Sequence, residues 1–425
     1  MYSVNFDKEQ LEVNIPNKNL LGVLDVPDVP FVTDMQASLK GALENPIGTK
    51  SFSKLFKPTD KVCILISDIT RVPITRVYLP FLLDELNRLG IPNEHIFIVF
   101  TVGTHRKHTK EEHQKLVGHE VYDRIRVFDH EARDKSQHVY LGTTSRGTKV
   151  NVFKRAMEAD KIITTGTIGF HYFAGYNGGR KNILPGIASY ETIVSNHKMT
   201  MFCKRKGEQK YSAAGIYDKN PINEDMNEAA KMVNPAFMIN VVLDKRRNII
   251  RFFTGDIIKA HKKGTEFIDK LYRPKIKKLA DIVIASSGGH PLDMNFVQVH
   301  KAIHQATYAV KEGGVIIAVG SCSEGYGSES IEKYLCLKNV ETVEKALACN
   351  YEIQGQTARA MLKKSRNYRI IFITKLPPKD VRAMGMIPAA TMDEALELAL
   401  RWVPEDFGAY IIPNSMSILP KLSKR

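Results

Sequence analysis

Short apolar runs, each followed at once by a polar turn, recur along this chain. KVCILISD (61–68) reads as a buried strand, and ITRVYLPFLLDELNRLG (74–90) as a helix closed by Gly90 with Pro92 beyond. HIFIVFT (95–101) is a second strand, and a short helix follows around 109–117. RIRVF (124–128), TKVNVF (148–153) and DKIITTG (160–166) continue the strands. A second block begins near Leu279: ADIVIASSGG (280–289) is a strand and turn, and a helix runs from about Met294 to Val310. GGVIIAVGSC (313–322) and YRIIFITK (368–375) are strands, and TMDEALELALRWV (391–403) is an amphipathic helix with Thr391 as cap and Glu394 three residues later. This alternation predicts an α/β protein of two domains, each with a largely parallel sheet flanked by helices, the first Rossmann-like. The first domain is expected over 1–272, rejoined by 405–425 through GAYIIP (408–413), and the second over 279–404. Pro274 and the basic stretch 275–278 mark the hinge.

The polar turns matter more than the strands. Ser67–Arg71, Gly103–Arg106 and the glycine-dense stretch Gly166–His197 each follow a predicted strand directly. Ligands of open parallel sheets bind beyond the carboxyl ends of strands, so these three loops can converge on one crevice.

A length of 425 residues, 43% apolar and 25% charged, fits two ordinary globular domains. No run of about 18 apolar residues occurs, and the N-terminal MYSVNFDKEQLEVNIP lacks the form of a secretion signal. A cytoplasmic protein is expected, with no membrane partner. The five cysteines are scattered and never spaced C-x-x-C, which argues against a disulfide scaffold or a cysteine zinc site; Cys63, within a strand, reads as a small buried hydrophobe. The formal charge of +15 invites a nucleic-acid reading, but the basic residues are dispersed and no recognition motif occurs. A basic surface that attracts small anions is the better account. The closing KLSKR reads as a solvated tail.

Candidate chemistry gathers in Gly166–His197, where glycines at 166, 169, 175, 178, 179 and 186 interrupt any long element and permit close backbone approach. His171, Lys181 and His197 on such a frame can bind a metal, move protons or form a covalent link. Taken singly, either histidine can be structural. Arg180-Lys181 after Gly178-Gly179 can cradle a phosphate, yet neither a Walker loop nor a G-x-G-x-x-G fingerprint is present. Asp68 and Arg71 are either a turn aspartate and a surface arginine, or a site in which the guanidinium forks onto a substrate carboxylate. His105, between strand and helix, is a cap, a surface residue or a proton-transfer group. His108, His113 and His119 read as solvent-facing. Gln298 and Lys301, three apart on a helix, form either a solvated face or a pair that reaches across an interdomain cleft holding the active site.

Together SDITR (67–71), GTHR (103–106), HYFAGYNGGRKNILPGI (171–187), NH (196–197) and SSGGHPLDMNFVQVHKA (286–302) resemble the nickel-pincer lactate racemases and their 2-hydroxyacid racemase and epimerase relatives. The resemblance covers most of the chain. It implies a nickel pincer cofactor, the pyridinium-3,5-bisthiocarboxylic acid mononucleotide, joined to Lys181 as a thioamide, with His197 as the protein ligand to nickel. It implies that Gly178, Gly179 and Arg180 adjoin the cofactor, that His105 and His171 are paired acid/base groups, and that Asp68 lies beside His105. Arg71, Gln298 and Lys301 would hold a small 2-hydroxy acid, and maturation proteins would supply the cofactor. One position departs: the family tyrosine before the glutamine is Val297 here, which puts lactate itself in question and favours a larger or differently substituted acid. His290 is either an added polar group or part of a turn. Alternatives from the same residues are a one-way hydride-transfer oxidoreductase and a non-catalytic binder of anionic metabolites or nucleotides.

Overall fold

A computed structural model of the chain describes residues 2–203 and 207–423. The chain divides into two compact units, one made of Met1–Pro27 with Leu271–Arg425 and the other of Asp28–Lys270. It starts in the first unit, where β1 (Leu20–Val23) is laid down, then builds the whole second unit before returning.

The Asp28–Lys270 unit contains β2 (Val62–Ser67), β3 (Ile96–Thr101), β4 (Arg126–Asp129), β5 (Lys161–Thr167), β6 (Phe237–Leu243) and β7 (Ile249–Gly255). They form one sheet in the order β7-β6-β5-β2-β3-β4, parallel except for the β6/β7 pair. Near-continuous apolar runs are what a sheet covered on both faces requires, and β2 and β3 are buried along all but their last residue. In register, Ile64 stands between Ile98 and Ile163. The helix Thr75–Arg88 buries Tyr78, Leu79, Leu82, Leu83 and Leu86 on one face. Each such leucine contributes roughly 1.5–3 kcal/mol of burial. TKVNVF departs from expectation: Lys149–Phe153 leaves the main sheet and pairs antiparallel with His138–Thr143. The tight Thr144–Thr148 turn, with Gly147 at φ +87°, folds these two segments onto each other.

The strand order places the site. The path from β2 runs to β3 and β4 on one side, and β5 returns to the other side of β2. The carboxyl ends of β2 and β5 thus flank the point where the winding reverses, the place where open α/β sheets bind ligands.

Beyond Leu271 follow β8 (Ala280–Ser286), β9 (Val310–Val319), β10 (Arg369–Ile373), β11 (Ile387–Ala389) and β12 (Ala409–Ile412). With β1 they make a wholly parallel sheet in the order β11-β10-β9-β8-β12-β1. This corrects the expected boundaries: 405–425 does not return to the Asp28–Lys270 unit, and the first 27 residues leave it too. The reason is burial. All four residues of β12 are buried, so it needs neighbours on both sides, and β1, with no fully buried residue, serves as the edge. The expected hinge and tail are likewise engaged, since Lys275-Ile276 pair with Lys421-Leu422. Lys424 and Arg425 of KLSKR lie outside the described residues. Cys63 is fully buried, and burial pushes its thiol well up. Among the described residues, no helix is long and apolar enough to cross a membrane.

Candidate active site

The loop after β2 carries Asp68, a buried aspartate whose Oδ2 accepts from Nδ1 of His105 on the loop after β3. Thr70 Oγ1 donates to the other carboxylate oxygen at 2.7 Å. Burial alone would raise the Asp68 carboxyl, but His105, Arg71 and Thr70 outweigh it and hold it below its ordinary value. The pair fixes the His105 tautomer: Nδ1 carries the proton, and Nε2 of a ring whose side chain is 42% exposed is left as a base. Arg71 closes the same turn, its backbone N–H donating to the Asp68 carbonyl at 3.1 Å.

The loop after β5 supplies the second half of the site. Short pairing of Phe170-His171 with Gly175-Tyr176 bends the chain back, and a 3-10 turn Gly179–Asn182 then presents Lys181. The ring of Phe173 is the hub. Its centroid lies 4.5 Å from the His171 ring and 4.9 Å from the His197 ring, both edge-on, and Lys181 Nζ stands 5.8 Å above it. Ala174 N–H donates to His171 Nδ1 at 3.2 Å, which puts the ring proton on Nε2. His105 and His171 therefore present opposite tautomers, one an acceptor and one a donor. Backbone bonds tie the loops together: Gly103 N–H donates to Gly186 O at 3.0 Å, and Gly186 N–H to Lys181 O at 2.9 Å. Gly186 is required there, because a Cβ would stand 2.2 Å from the Asn182 carbonyl oxygen.

His197 lies on the helix Tyr190–Lys198, capped by Ser189. Its neighbour Asn196 pins the helix by donating to Asp225 Oδ2 at 2.8 Å and to Ile222 O at 3.2 Å. Burial first, and the Lys181 cation second, push the His197 imidazole down to about 3, against a smaller upward pull from the Ile193 backbone. Its Nδ1 is buried without a hydrogen-bond partner among the described residues. A neutral imidazole keeps one nitrogen lone pair that a metal can use.

Arg180 and the two glycines before it are packed closely into the protein itself. Arg180 is fully buried, and its guanidinium donates to the carbonyls of Ala174 and Tyr176 at 3.0 Å and of Gly178 at 3.3 Å. It also lies against His261, whose Nε2–H donates to Asn177 O at 2.7 Å. Gly178 and Gly179 serve packing. A Cβ on Gly178 would stand 2.6 Å from Asn240 Oδ1, one on Gly179 2.9 Å from the His261 ring, and the Gly179 N–H is already given to Asn240. The same glycines that suit a phosphate loop are used here to close backbone on side chain.

One expectation is corrected at His108 and His113. Neither faces solvent; their side chains are 1% and 14% exposed and share Asp129 at the end of β4. His119 is exposed, as its sequence context suggests. In the other unit, Gln298 and Lys301 lie on the helix Phe296–Ala306, and Lys301 Nζ donates to Gln298 Oε1. Val297 is half-buried one residue earlier. His290 belongs to the turn that follows β8, where its N–H donates to Asp7 O at 2.7 Å.

Buried neutral imidazoles give the protein an acid sensitivity of definite sign. His130, fully buried, is held at about 3 by burial and then by its neighbour His138, and His197 sits at a similar value. Unfolded, both titrate near 6.5. Between about pH 6.5 and pH 3 the unfolded chain binds protons that the native protein refuses, so the stability these groups contribute is complete above the unfolded value and drains away as pH falls through that window. The thermal midpoint of the metal-free protein is expected to drop between pH 7 and pH 5, before most carboxylates titrate. A flat midpoint over that range would contradict it.

A family model described as the lactate racemase N-terminal domain matches residues 6–209, and one for the lactate racemase C-terminal domain matches residues 276–419. The chain is 34% identical over 429 residues to a lactate racemase of Thermoanaerobacterium thermosaccharolyticum and 33% identical over 427 residues to one of Lactiplantibacillus plantarum, covering 98% of each chain in both cases. The structure of the Thermoanaerobacterium thermosaccharolyticum lactate racemase apoprotein superposes with a TM-score of 0.89 over 99% of both chains. A Thermotoga maritima protein shares the fold alone, at TM-score 0.69 and 18% identity, over 92% of this chain and 97% of that one. With both domain models matched in order and these relatives aligned nearly end to end, the chain belongs to the lactate racemase family, a family of isomerases.

Proposed function

We propose that this protein racemises lactate or a closely related 2-hydroxy acid, with a nickel pincer nucleotide tethered to Lys181 and His197 as the protein ligand to nickel. The observation that carries the reading is the gathering of His171, Lys181 and His197 around the single ring of Phe173, with His197 buried, neutral and unsatisfied at Nδ1. These residues fit the group: an imidazole suits nickel, softer sulfur donors come from the nucleotide, and a primary amine stands beside them. When bound, the group supplies a carbon that accepts and returns the hydride at C2 of the substrate.

The chain's own residues handle the proton and the carboxylate. Inversion at C2 passes through a planar 2-keto acid, so the hydroxyl proton must leave and come back. His105, with Asp68 holding its Nδ1 proton, offers Nε2 as the base. His171 offers an N–H to the substrate oxygen at the same stage. It takes the part of base for the opposite enantiomer once its ring proton has moved from Nε2 to Nδ1 and the Ala174 contact has opened. In either direction the base returns the hydroxyl proton after the hydride is back at C2. Arg71, on the Asp68 turn, forks onto the substrate carboxylate, and Gln298 and Lys301 help to hold the same substrate. The formal charge of +15 draws such anions in. Val297, lacking the phenol that other family members carry, leaves room for a side chain larger than methyl. Maturation proteins supply the cofactor, and five cysteines free of disulfides suit a cytoplasmic setting.

Single-enantiomer lactate and longer 2-hydroxy acids, given to the loaded protein in deuterated buffer, test the proposal. The expected result is a racemic product with protium kept at C2. Net formation of keto acid would make it a one-way oxidoreductase, and extensive deuterium at C2 would make it a carbanion enzyme.

A further inference from the structure

The carboxylate that ends β4 and the two imidazoles gathered on it have no part in the chemistry described so far. We infer that His108, locked in one tautomer by Asp129, is a positioning residue that holds the Asp68–His105 pair in place through the backbone amide of Ile69. The inference rests on the reading of His105 as the proton-transfer base.

His108 Nδ1 stands 2.6 Å from Asp129 Oδ1, and its Nε2 stands 3.1 Å from the backbone nitrogen of Ile69. A backbone amide only donates, so Nε2 accepts and the ring proton must sit on Nδ1, where Asp129 receives it. The second oxygen of Asp129 takes Nε2 of His113 at 2.9 Å and the backbone N–H of His108 at 3.1 Å. Phe100 closes the cluster, stacked on His113 at 4.8 Å and edge-on to His108 at 5.1 Å. With both oxygens and both rings engaged, His108 has no second arrangement within reach.

Ile69 directly follows Asp68, and its N–H shares a peptide plane with the Asp68 carbonyl that Arg71 N–H grips. Fixing that plane fixes the turn that carries both Asp68 and Arg71. His105 and His108 belong to one loop, and they cross to the neighbouring Asp68 turn at adjacent points, one onto a carboxylate and the other onto the amide beside it. Two such links define the approach of His105 to Asp68; one alone would leave it free to pivot.

The ligand atoms of His108, His113 and Asp129 lie within 4.8 Å of one another, a spacing that a divalent cation also uses. The Ile69 amide decides against that use. A metal on His108 Nδ1 needs the lone pair there, which moves the ring proton to Nε2 and sets it donor-to-donor against the amide.

Two substitutions separate the contacts, because an asparagine amide reproduces the Nδ1 end of the ring and a glutamine amide the Nε2 end. His108→Gln can still accept from Ile69, whereas His108→Asn reaches only Asp129. In the loaded enzyme, His108→Asn is expected to lower kcat for L-lactate by about 10²-fold, the effect of misplacing a reacting group by an ångström, and His108→Gln to recover most of that loss. Side-chain nitrogen NMR of the metal-free protein should find the proton of His108 on Nδ1. It should also find the single tautomer of His105 kept in His108→Gln and mixed in His108→Asn, a change that a merely structural role would not produce. A proton on His108 Nε2 overturns the inference, as does His108→Asn with wild-type kcat and an unmixed His105. Zn2+ that shifts both the His108 and His113 resonances and survives dialysis replaces it with a metal site. Should His105→Ala keep full racemisation, the reading of the site fails, while the NMR result on His105 still reports on the positioning.

Discussion

Alanine at Lys181 is expected to give a folded protein that carries no adduct and racemises nothing. The amine lies on a four-residue turn, and its environment is already shaped for a neighbour: Phe173 beneath it and the His197 imidazole held neutral partly by its charge. Intact mass of protein made together with the family's maturation proteins should show the cofactor on the wild type and the bare chain for Lys181→Ala. Racemisation should fall by roughly 10⁶-fold or more, the scale of a lost catalytic group with no substitute. Lys181→Arg separates the two roles of this side chain. It keeps a cation over Phe173 but cannot form the thioamide, so it should be as inactive as the alanine variant while retaining more stability. A Lys181→Ala protein with full activity would show that the tether is elsewhere.

Its neighbour should fail in a different way. Arg180→Leu removes three donors from buried carbonyls at Ala174, Tyr176 and Gly178, and each carbonyl left unpaired costs about 1–3 kcal/mol. The sum is a large part of the roughly 5–15 kcal/mol that holds an ordinary domain together. Poor soluble yield, or a urea midpoint far below that of the wild type, is therefore expected even without any cofactor. Burial lowers the Arg180 guanidinium to about 10, so it remains charged at neutral pH, and backbone dipoles are what balance it. An Arg180→Leu protein as stable as the wild type, but unable to retain the nucleotide, would restore the phosphate-cradle role that the sequence suggests.

The contrast between these adjacent cations shows what was legible in the sequence. Parallel strands buried on both faces announce themselves as apolar runs, and the polar residues at their carboxyl ends mark the crevice; Asp68, His105 and His171 could be placed on that rule alone. GGRK gives no sign of which cation turns inward, since a backbone clamp and an anion cradle ask for the same glycines. His108 and His113 were missed although the same rule reaches them: Asp129 ends β4 as Asp68 follows β2, and a carboxylate there needs partners. The boundary of the units was missed for another reason. β1 is four residues long, half-exposed, and pairs Leu20 with Ala409, so nothing in its local pattern names its partner.

That pairing also sets an order of events during synthesis. The strand Leu20–Val23 leaves the ribosome long before Ala409–Ile412, the strand that must flank it. At ordinary translation speeds the delay is on the order of tens of seconds. Once residue 270 has followed, the Asp28–Lys270 unit has its complete sequence available, while the opening residues still wait for their sheet. The part that carries Lys181 and His197 is thus complete before the remainder has closed its edge.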